Sequence, residues 1–208
     1  MIEEMDLRTF IIIDSMQPQY AAITGTVVKG DIALAGMCQL YIELAPGSAV
    51  YELLNVALKQ TNAKPGFQIV EREYGELELH SFMPEELKQA GQAILSACGK
   101  TISDRRKPRI VSEQIISNVD PYQAQLVNRD NRYGSIVVPG ETLFILEVEP
   151  AAYISIAVNE AEKSSMTKII TFDPVGRYGR MYISGTESEV RNARETVIEV
   201  LESIEGRE

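Results

Sequence analysis

The sequence is poor in the side chains on which many catalytic and metal sites depend. Its 208 residues include one histidine, His80, and two cysteines, Cys38 and Cys98, far apart and without a CxxC pair. A Ser-His-Asp triad or a histidine-based zinc site would hang on His80 alone. The plainer expectation for His80 is a surface position at a strand end. The cysteine spacing argues against a disulfide or metal framework, and two buried thiols are expected. Neither GxGxxG nor GxxxxGK[ST] occurs, so no glycine-rich phosphate loop is present. No apolar run approaches the roughly 18 residues of a membrane span. The opening stretch MIEEMDLRTFIII lacks the basic segment of a secretory signal, and the chain reads as cytosolic. Positive charge is also short: 20 Lys and Arg face 30 Asp and Glu, a formal net charge of −10. Residues 1–104 hold 14 acids and 7 bases, residues 105–208 hold 16 and 13, so neither half is a nucleic-acid-binding basic domain.

What is present is a repeat. With 45% hydrophobic residues, the chain is long enough for two cores. Residues 43–79 lie over 147–183 at an offset of 104, giving the identities Glu43/Glu147, Pro46/Pro150, Asn55/Asn159, Ala57/Ala161, Lys59/Lys163, Lys64/Lys168, Tyr74/Tyr178 and Gly75/Gly179. At an offset of 103, Pro18 meets Pro121, Ala21 meets Ala124 and Ala90 meets Ala193. The chain therefore reads as two units, 1–104 and 105–208, joined near the polar stretch 101-TISDRRKP-108.

Each unit has the same pattern of elements. A strand (9-TFIII-13; 110-IVSEQII-116) precedes a short proline-started helix at 18–23 and 121–127. A β-rich strand (40-LYIEL-44; 143-LFILEV-148) stops at a proline. A helix then carries an apolar stripe, Val50, Leu53, Leu54 and Ala57 or Ile154, Ala157, Val158 and Ala161. A hairpin follows (67–71 with 76–80; 168–173 with 180–184), then a closing helix. That helix starts at Pro84 in the first unit and at a Thr186/Glu189 capping box in the second. The fold class is α+β, each unit a mainly antiparallel sheet with helices on it. Glu76 and Glu78 alternate with Leu77 and Leu79, which predicts one buried and one wet face for that strand. Tyr74 and Tyr178 are expected as packed anchors, Gly75 and Gly179 as positive-φ turn residues.

The hairpin tip in 70-VEREYGELELH-80 distinguishes the two copies. The first carries Glu71-Arg72; the second has Val175-Gly176 at those positions. A solvated turn with a weak ion pair and an acid pair of Glu71 and Glu73 are both compatible with the tip alone.

The order of elements resembles the bacterial microcompartment shell domain in its circularly permuted form, two units in tandem. The stretches 70-VEREYGELELH-80, 114-QIISNVDPYQAQLVNR-129, 138-VPGETLFILEVEPAAY-153, 157-AVNEAEKSS-165 and 175-VGRYGRMYISG-185 are similar to the carboxysome tandem shell proteins. The resemblance covers nearly the whole chain. It implies a structural, non-enzymatic shell protein that forms a homotrimeric pseudohexamer, stacks as a dimer of trimers and tiles with hexameric shell proteins. It implies a pore gate made by Glu71 and Arg72, with Glu73, Tyr74, Val175, Gly176 and Arg177 beside it. Passage of anionic phosphorylated metabolites such as ribulose bisphosphate and phosphoglycerate would be passive, with no cofactor, no metal, no membrane and no nucleic acid. Asn128 and Arg129, in the polar turn 128-NRDNRYG-134, become candidate contacts to a metabolite or an opposing trimer. The alternatives are a shell protein of a non-carboxysome metabolosome, a trimeric small-anion-binding regulatory module, and an enzyme built on the duplicated fold.

Overall fold

The computed structural model describes residues 5–208; residues 1–4, part of the N-terminal stretch read above for a leader, lie outside the described residues. Strands β1 (Asp6–Ile13), β2 (Cys38–Ala45), β3 (Lys64–Glu71) and β4 (Tyr74–Ser81) form an antiparallel sheet in the order β1-β2-β4-β3. Strands β5 (Arg109–Ile116), β6 (Thr142–Glu149), β7 (Lys168–Asp173) and β8 (Gly179–Gly185) repeat it as β5-β6-β8-β7. Three helices accompany each sheet: α1 (Pro18–Val27), α2 (Ala49–Gln60) and α3 (Pro84–Cys98), then α4 (Pro121–Asp130), α5 (Ile154–Ser164) and α6 (Glu187–Ser203).

The expected punctuation is in place. β2 and β6 end immediately before Pro46 and Pro150, which have no amide to extend a ladder. Pro84 opens α3, and Gly99 closes it in the left-handed conformation. At the start of α6 the Thr186 hydroxyl accepts from the Glu189 amide at 3.4 Å, while the Glu189 carboxylate accepts from the Thr186 amide at 3.0 Å.

One face of the first sheet, with Phe10, Leu40, Ile42, Leu44, Leu77 and Leu79, packs on the stripes of α2 and α3. Each fully buried leucine or isoleucine there contributes about 1.5–3 kcal/mol of apolar transfer. Phe144, Leu146, Met181 and Ile183 do the same under α5 and α6. Cys38 is buried and Cys98 half-buried, both free thiols.

The opposite face of the first sheet departs from the sequence expectation. Glu76, Glu78 and His80 were expected to face water, yet all three are buried. Glu76 is covered by Asp173 and Gly176 of the second unit, while Glu78 and His80 are enclosed by the first unit's own segments at Asp31 and Gly66, so period-2 alternation here marks two buried faces, one apolar and one largely polar. His80 is fully enclosed rather than superficial. Its Nδ1 lies 3.1 Å from Glu78 and its Nε2 3.1 Å from Asp31. Burial disfavours the imidazolium, but those two carboxylates outweigh it and raise the His80 pKa. The network continues as Gln39 donates to Glu78 at 3.1 Å and Tyr20 donates to Gln39 at 2.5 Å.

Helix α1 ties the units together. Its first turn has no side-chain cap of its own. Instead the amides of Gln19 and Tyr20 donate to the Glu162 carboxylate on α5 at 2.8 and 2.9 Å, and the Gln17 amide donates to Asn159 at 2.9 Å. An acid from the other unit thus meets the orphan donors and positive end of α1. The equivalent helix α4 is capped by its own Asp120.

The glycines of the two hairpins also differ from expectation. Neither Gly75 nor Gly179 has positive φ; that conformation falls on Arg72 (φ 55°) and Gly176 (φ 101°). A Cβ at Gly75 would collide with the Gly47 carbonyl, and one at Gly179 with the Ala151 carbonyl. Close approach of the segments that follow Pro46 and Pro150 is what requires glycine there. Gly75→Ala is therefore expected to cost about 3 kcal/mol or more, because backbone must move, while the exposed neighbour Glu73→Ala stays within about 0.5 kcal/mol. Urea unfolding midpoints of the two variants check this.

Candidate functional site

The first hairpin turns in two residues. Glu71 pairs with Tyr74 across the ladder, leaving Arg72 and Glu73 at the tip. Arg72 adopts left-handed backbone without being glycine, an uncommon and strained state. Its side chain is 90% exposed, and its Nε lies 3.5 Å from the half-exposed Glu71 carboxylate. A pair so open to water is worth only about 0–1 kcal/mol, so the two side chains separate readily.

Tyr74 behind the tip is held by an arginine. The Arg8 guanidinium sits 3.7 Å from the Tyr74 ring centroid and donates to Glu43 at 2.5 Å. Glu43 also accepts from the Ala152 amide of the second unit at 3.0 Å. Sequence reading missed Arg8. The available signal is that it is the one charge inside the otherwise apolar run 7-LRTFIII-13.

The second loop is wider, because β7 ends at Asp173 and β8 begins at Gly179. Asp173 accepts from the Val175 amide at 3.0 Å. The Arg177 guanidinium lies 5.3 Å from the Tyr178 ring centroid, and its Nε lies 3.9 Å from Glu149. The two loops meet within the chain: the Cβ direction of Gly176 points at the Glu71 side chain, 4.0 Å away. Beneath this contact lies Glu76, 1% exposed, with no hydrogen-bond partner for either carboxyl oxygen among the described residues. Burial first, then the charges of Glu43 and Asp173, hold Glu76 well above the usual carboxylate range. The Gly176 amide and Tyr41 hydroxyl oppose this too weakly to offset it. The corresponding residue of the second unit is Arg180, half-exposed and paired with Glu147.

The structure does not bring Asn128 and Arg129 to these loops. The Asn128 amide group donates to the Val137 carbonyl and accepts from its amide, both at 2.8 Å, which pins the segment after α4. Arg129 is exposed on the last turn of α4.

Two copies of a four-stranded antiparallel sheet backed by paired helices, each preceded by a permuted strand and helix, define a tandem microcompartment shell protein. Residues 7–104 match the family model described as the CsoS1D N-terminal domain. The chain is 42% identical to the carboxysome shell protein CcmP of Synechococcus elongatus over 98% of its own length and 95% of that protein's. Among solved structures it is similar to the fused permuted hexameric shell protein MSM0275 from the RMM microcompartment, with a TM-score of 0.92, 40% identity, and coverage of 96% of this chain and 100% of that one. It is also similar to the double ringed trimeric shell protein MSM0271 from the same microcompartment, with a TM-score of 0.93, 32% identity and 98% coverage of both chains. The chain belongs to the family of tandem shell proteins that includes CcmP and CsoS1D, whose members are structural proteins and not enzymes. Among the described residues no helix is long and apolar enough to cross a membrane.

The state of Glu76 gives a pH test with a definite sign. Its folded pKa is raised, so folding loses stability as pH climbs from the ordinary glutamate value of about 4.5 toward the folded value. Glu76→Gln removes that titration. The unfolding midpoint of the variant is expected to gain on the wild type as pH rises from about 5 to 8; a difference that stays flat across this window would contradict the assignment.

Proposed function

We propose that this chain is a structural shell protein of the carboxysome, in which three copies arrange six permuted shell domains, 1–104 and 105–208 of each, around a gated central pore. The observation that carries the reading is an unmatched copy of the contact between the units. Ile23 of α1 is buried in the inter-unit core, whereas its repeat partner Leu126 on α4 is exposed. Gln19 hydrogen-bonds Thr167 and Ile169 of the second unit, whereas its partner Tyr122 is exposed. On the other side of the repeat, Asn159 corresponds to Asn55 and Glu162 to Leu58. An exposed Leu58 with an exposed Tyr51 suits Tyr122 and Leu126 of a second copy. Because Leu58 cannot accept hydrogen bonds, a helix docked there needs its own cap, and α4 has one in Asp120. A contact of this head-to-tail kind closes into a three-membered ring when it turns each copy by a third of a circle.

In such a ring the tips of the first hairpins meet near the threefold axis. Three like guanidinium groups repel one another, and pairing each Arg72 with Glu71 relieves that repulsion in one set of side-chain positions. The weak, exposed pair and the strained backbone at Arg72 suit a group that swings between two states. Glu73, Tyr74, Val175, Gly176 and Arg177 complete the surround. In this reading, ribulose bisphosphate and phosphoglycerate cross passively when the Arg72 side chains swing aside. Tiling with hexameric shell proteins and stacking of two trimers are part of this reading, and the double-ringed architecture of MSM0271 supports stacking. Arg129 remains the candidate contact across stacked trimers. The second reading, a shell protein of a non-carboxysome microcompartment, is favoured by the 40% identity to MSM0275. Co-localisation of a fluorescent fusion with Rubisco separates the two.

Two variants test the assembly and the gate. Leu126→Glu is expected to keep its circular dichroism spectrum while the trimer mass falls to that of a monomer in light scattering. Arg72→Ala is expected to keep trimers and two-dimensional sheets in electron microscopy and to raise anion flux through them. Isolated trimers that never tile would favour a discrete regulatory module, and a trimer with Arg72 remote from the threefold axis would end the gate hypothesis.

A further inference from the structure

At matching ladder positions the two units carry different chemistry. In the second unit Glu147 of β6 stands opposite Arg180 of β8, and the two form an ion pair. In the first unit Glu43 of β2 stands opposite Glu76 of β4, and both are buried. Glu43 and Glu147 are identical across the repeat; the partner differs, acid in one unit and base in the other. Side chains directly opposite on one sheet face have Cβ atoms about 4.5–5.5 Å apart, where like charges repel. We propose that the Glu43–Glu76 pair is a proton switch: it docks the second hairpin loop, residues 174–178, while the pair holds a proton, and releases that loop when both carboxyls ionise.

The surroundings decide where the proton sits. Glu43 accepts from the Arg8 guanidinium at 2.5 Å and from the Ala152 amide at 3.0 Å. Glu76 has no hydrogen-bond partner among the described residues. Tyr41 and Glu43 on β2, Asp173 at the end of β7 and the Gly176 amide of the second loop bear on it. The bases of the neighbouring elements are engaged elsewhere: Arg8 on β1 with Glu43, Arg180 on β8 with Glu147, and Arg177 of the second loop toward Glu149. Glu78, two residues along β4, is met by Gln39, His80 and the Gly66 amide. Burial raises the pKa of both members of the pair. It does so further for Glu76, where the charges of Glu43 and Asp173 add to it, so the proton belongs on Glu76.

The same surroundings decide what moves. Tyr41 and Glu43 are fixed in the ladder, whereas residues 174–178 lie between the end of β7 and the start of β8. Their anchor is the Asp173 carboxylate, which accepts from the Val175 amide at 3.0 Å. A charge on Glu76 repels that anchor, and an enclosed carboxylate without donors gains most when water reaches it. The pull of the Gly176 amide on the charged form does not offset these effects. Lifting the loop also uncovers Glu71, the partner of Arg72, because the Cβ direction of Gly176 points at the Glu71 side chain 4.0 Å away. This effect on the gate rests on the pore reading above; the switch itself does not.

Hydrogen exchange of the full chain tests the switch, with protection at Val175 and Gly176 corrected for the intrinsic pH dependence of amide exchange. Between about pH 5 and 8, protection in the wild type is expected to fall about tenfold or more, as ionisation opens the loop. Glu76→Gln is expected to hold protection constant across that range. Asp173→Asn keeps an acceptor for the Val175 amide but loses the charge, and is expected to move the fall to lower pH. Flat protection in the wild type, or an equal fall in Glu76→Gln, overturns the switch whatever Arg72→Ala does to flux. A fall seen in the wild type and absent from Glu76→Gln, with anion flux unaltered by pH and by Arg72→Ala, would sink the pore and leave the switch standing.

Discussion

The structure turns on one constraint: the polar face of the first sheet cannot be left to itself. Glu43, Glu76, Glu78 and His80 all project from it, and all are buried. Burying carboxylates is tolerable only where donors or protons meet them. The chain meets this demand unevenly. Arg8 and the Ala152 amide serve Glu43; Gln39, His80 and the Gly66 amide serve Glu78; Glu76, the least well served, has its pKa raised by burial. The second unit supplies the cover over Glu43 and Glu76, and its Glu162 in turn caps α1. Each unit thus completes the other's unsatisfied backbone and side-chain groups.

Much of this architecture is legible in the sequence because the duplication repeats its own punctuation. Pro46 and Pro150, the stripes of α2 and α5, Pro84 and the Thr186/Glu189 box all mark element ends by local chemistry, and the structure places those ends accordingly. What the sequence conceals is which polar face meets water. Alternation in ELELH looks the same whether the charged side is solvated or covered by other parts of the chain. His80 and Glu76 were misplaced for that reason. The hairpin glycines failed similarly: Gly75 is needed for a backbone crossing with Gly47, a contact between segments that local turn chemistry does not encode. The Glu71-Arg72 tip stands out only by comparing the copies and by the family resemblance, since a charged turn alone is ordinary.

The electrostatic layout adds a second layer. Net negative charge keeps polyanions from binding indiscriminately. Against that background the segment from Arg105 to Arg109, read from sequence only as a polar linker, concentrates positive charge where the units join. The clasp between this linker and Arg207 holds it beside both loops.

The unequal hairpins carry a further consequence, one of symmetry. A ring of single-domain subunits must repeat every side chain at every position around its axis, so a charge placed at the centre is placed there by all subunits at once. A chain with two non-identical units escapes this. In a ring of such chains, alternate positions around the axis carry an arginine and a glycine, and each Arg72 has for a neighbour a loop with Gly176 at the matching position instead of another arginine. The mutual repulsion that a full set of like charges would impose is reduced by divergence of one copy, and the glycine positions leave room into which a displaced side chain can move.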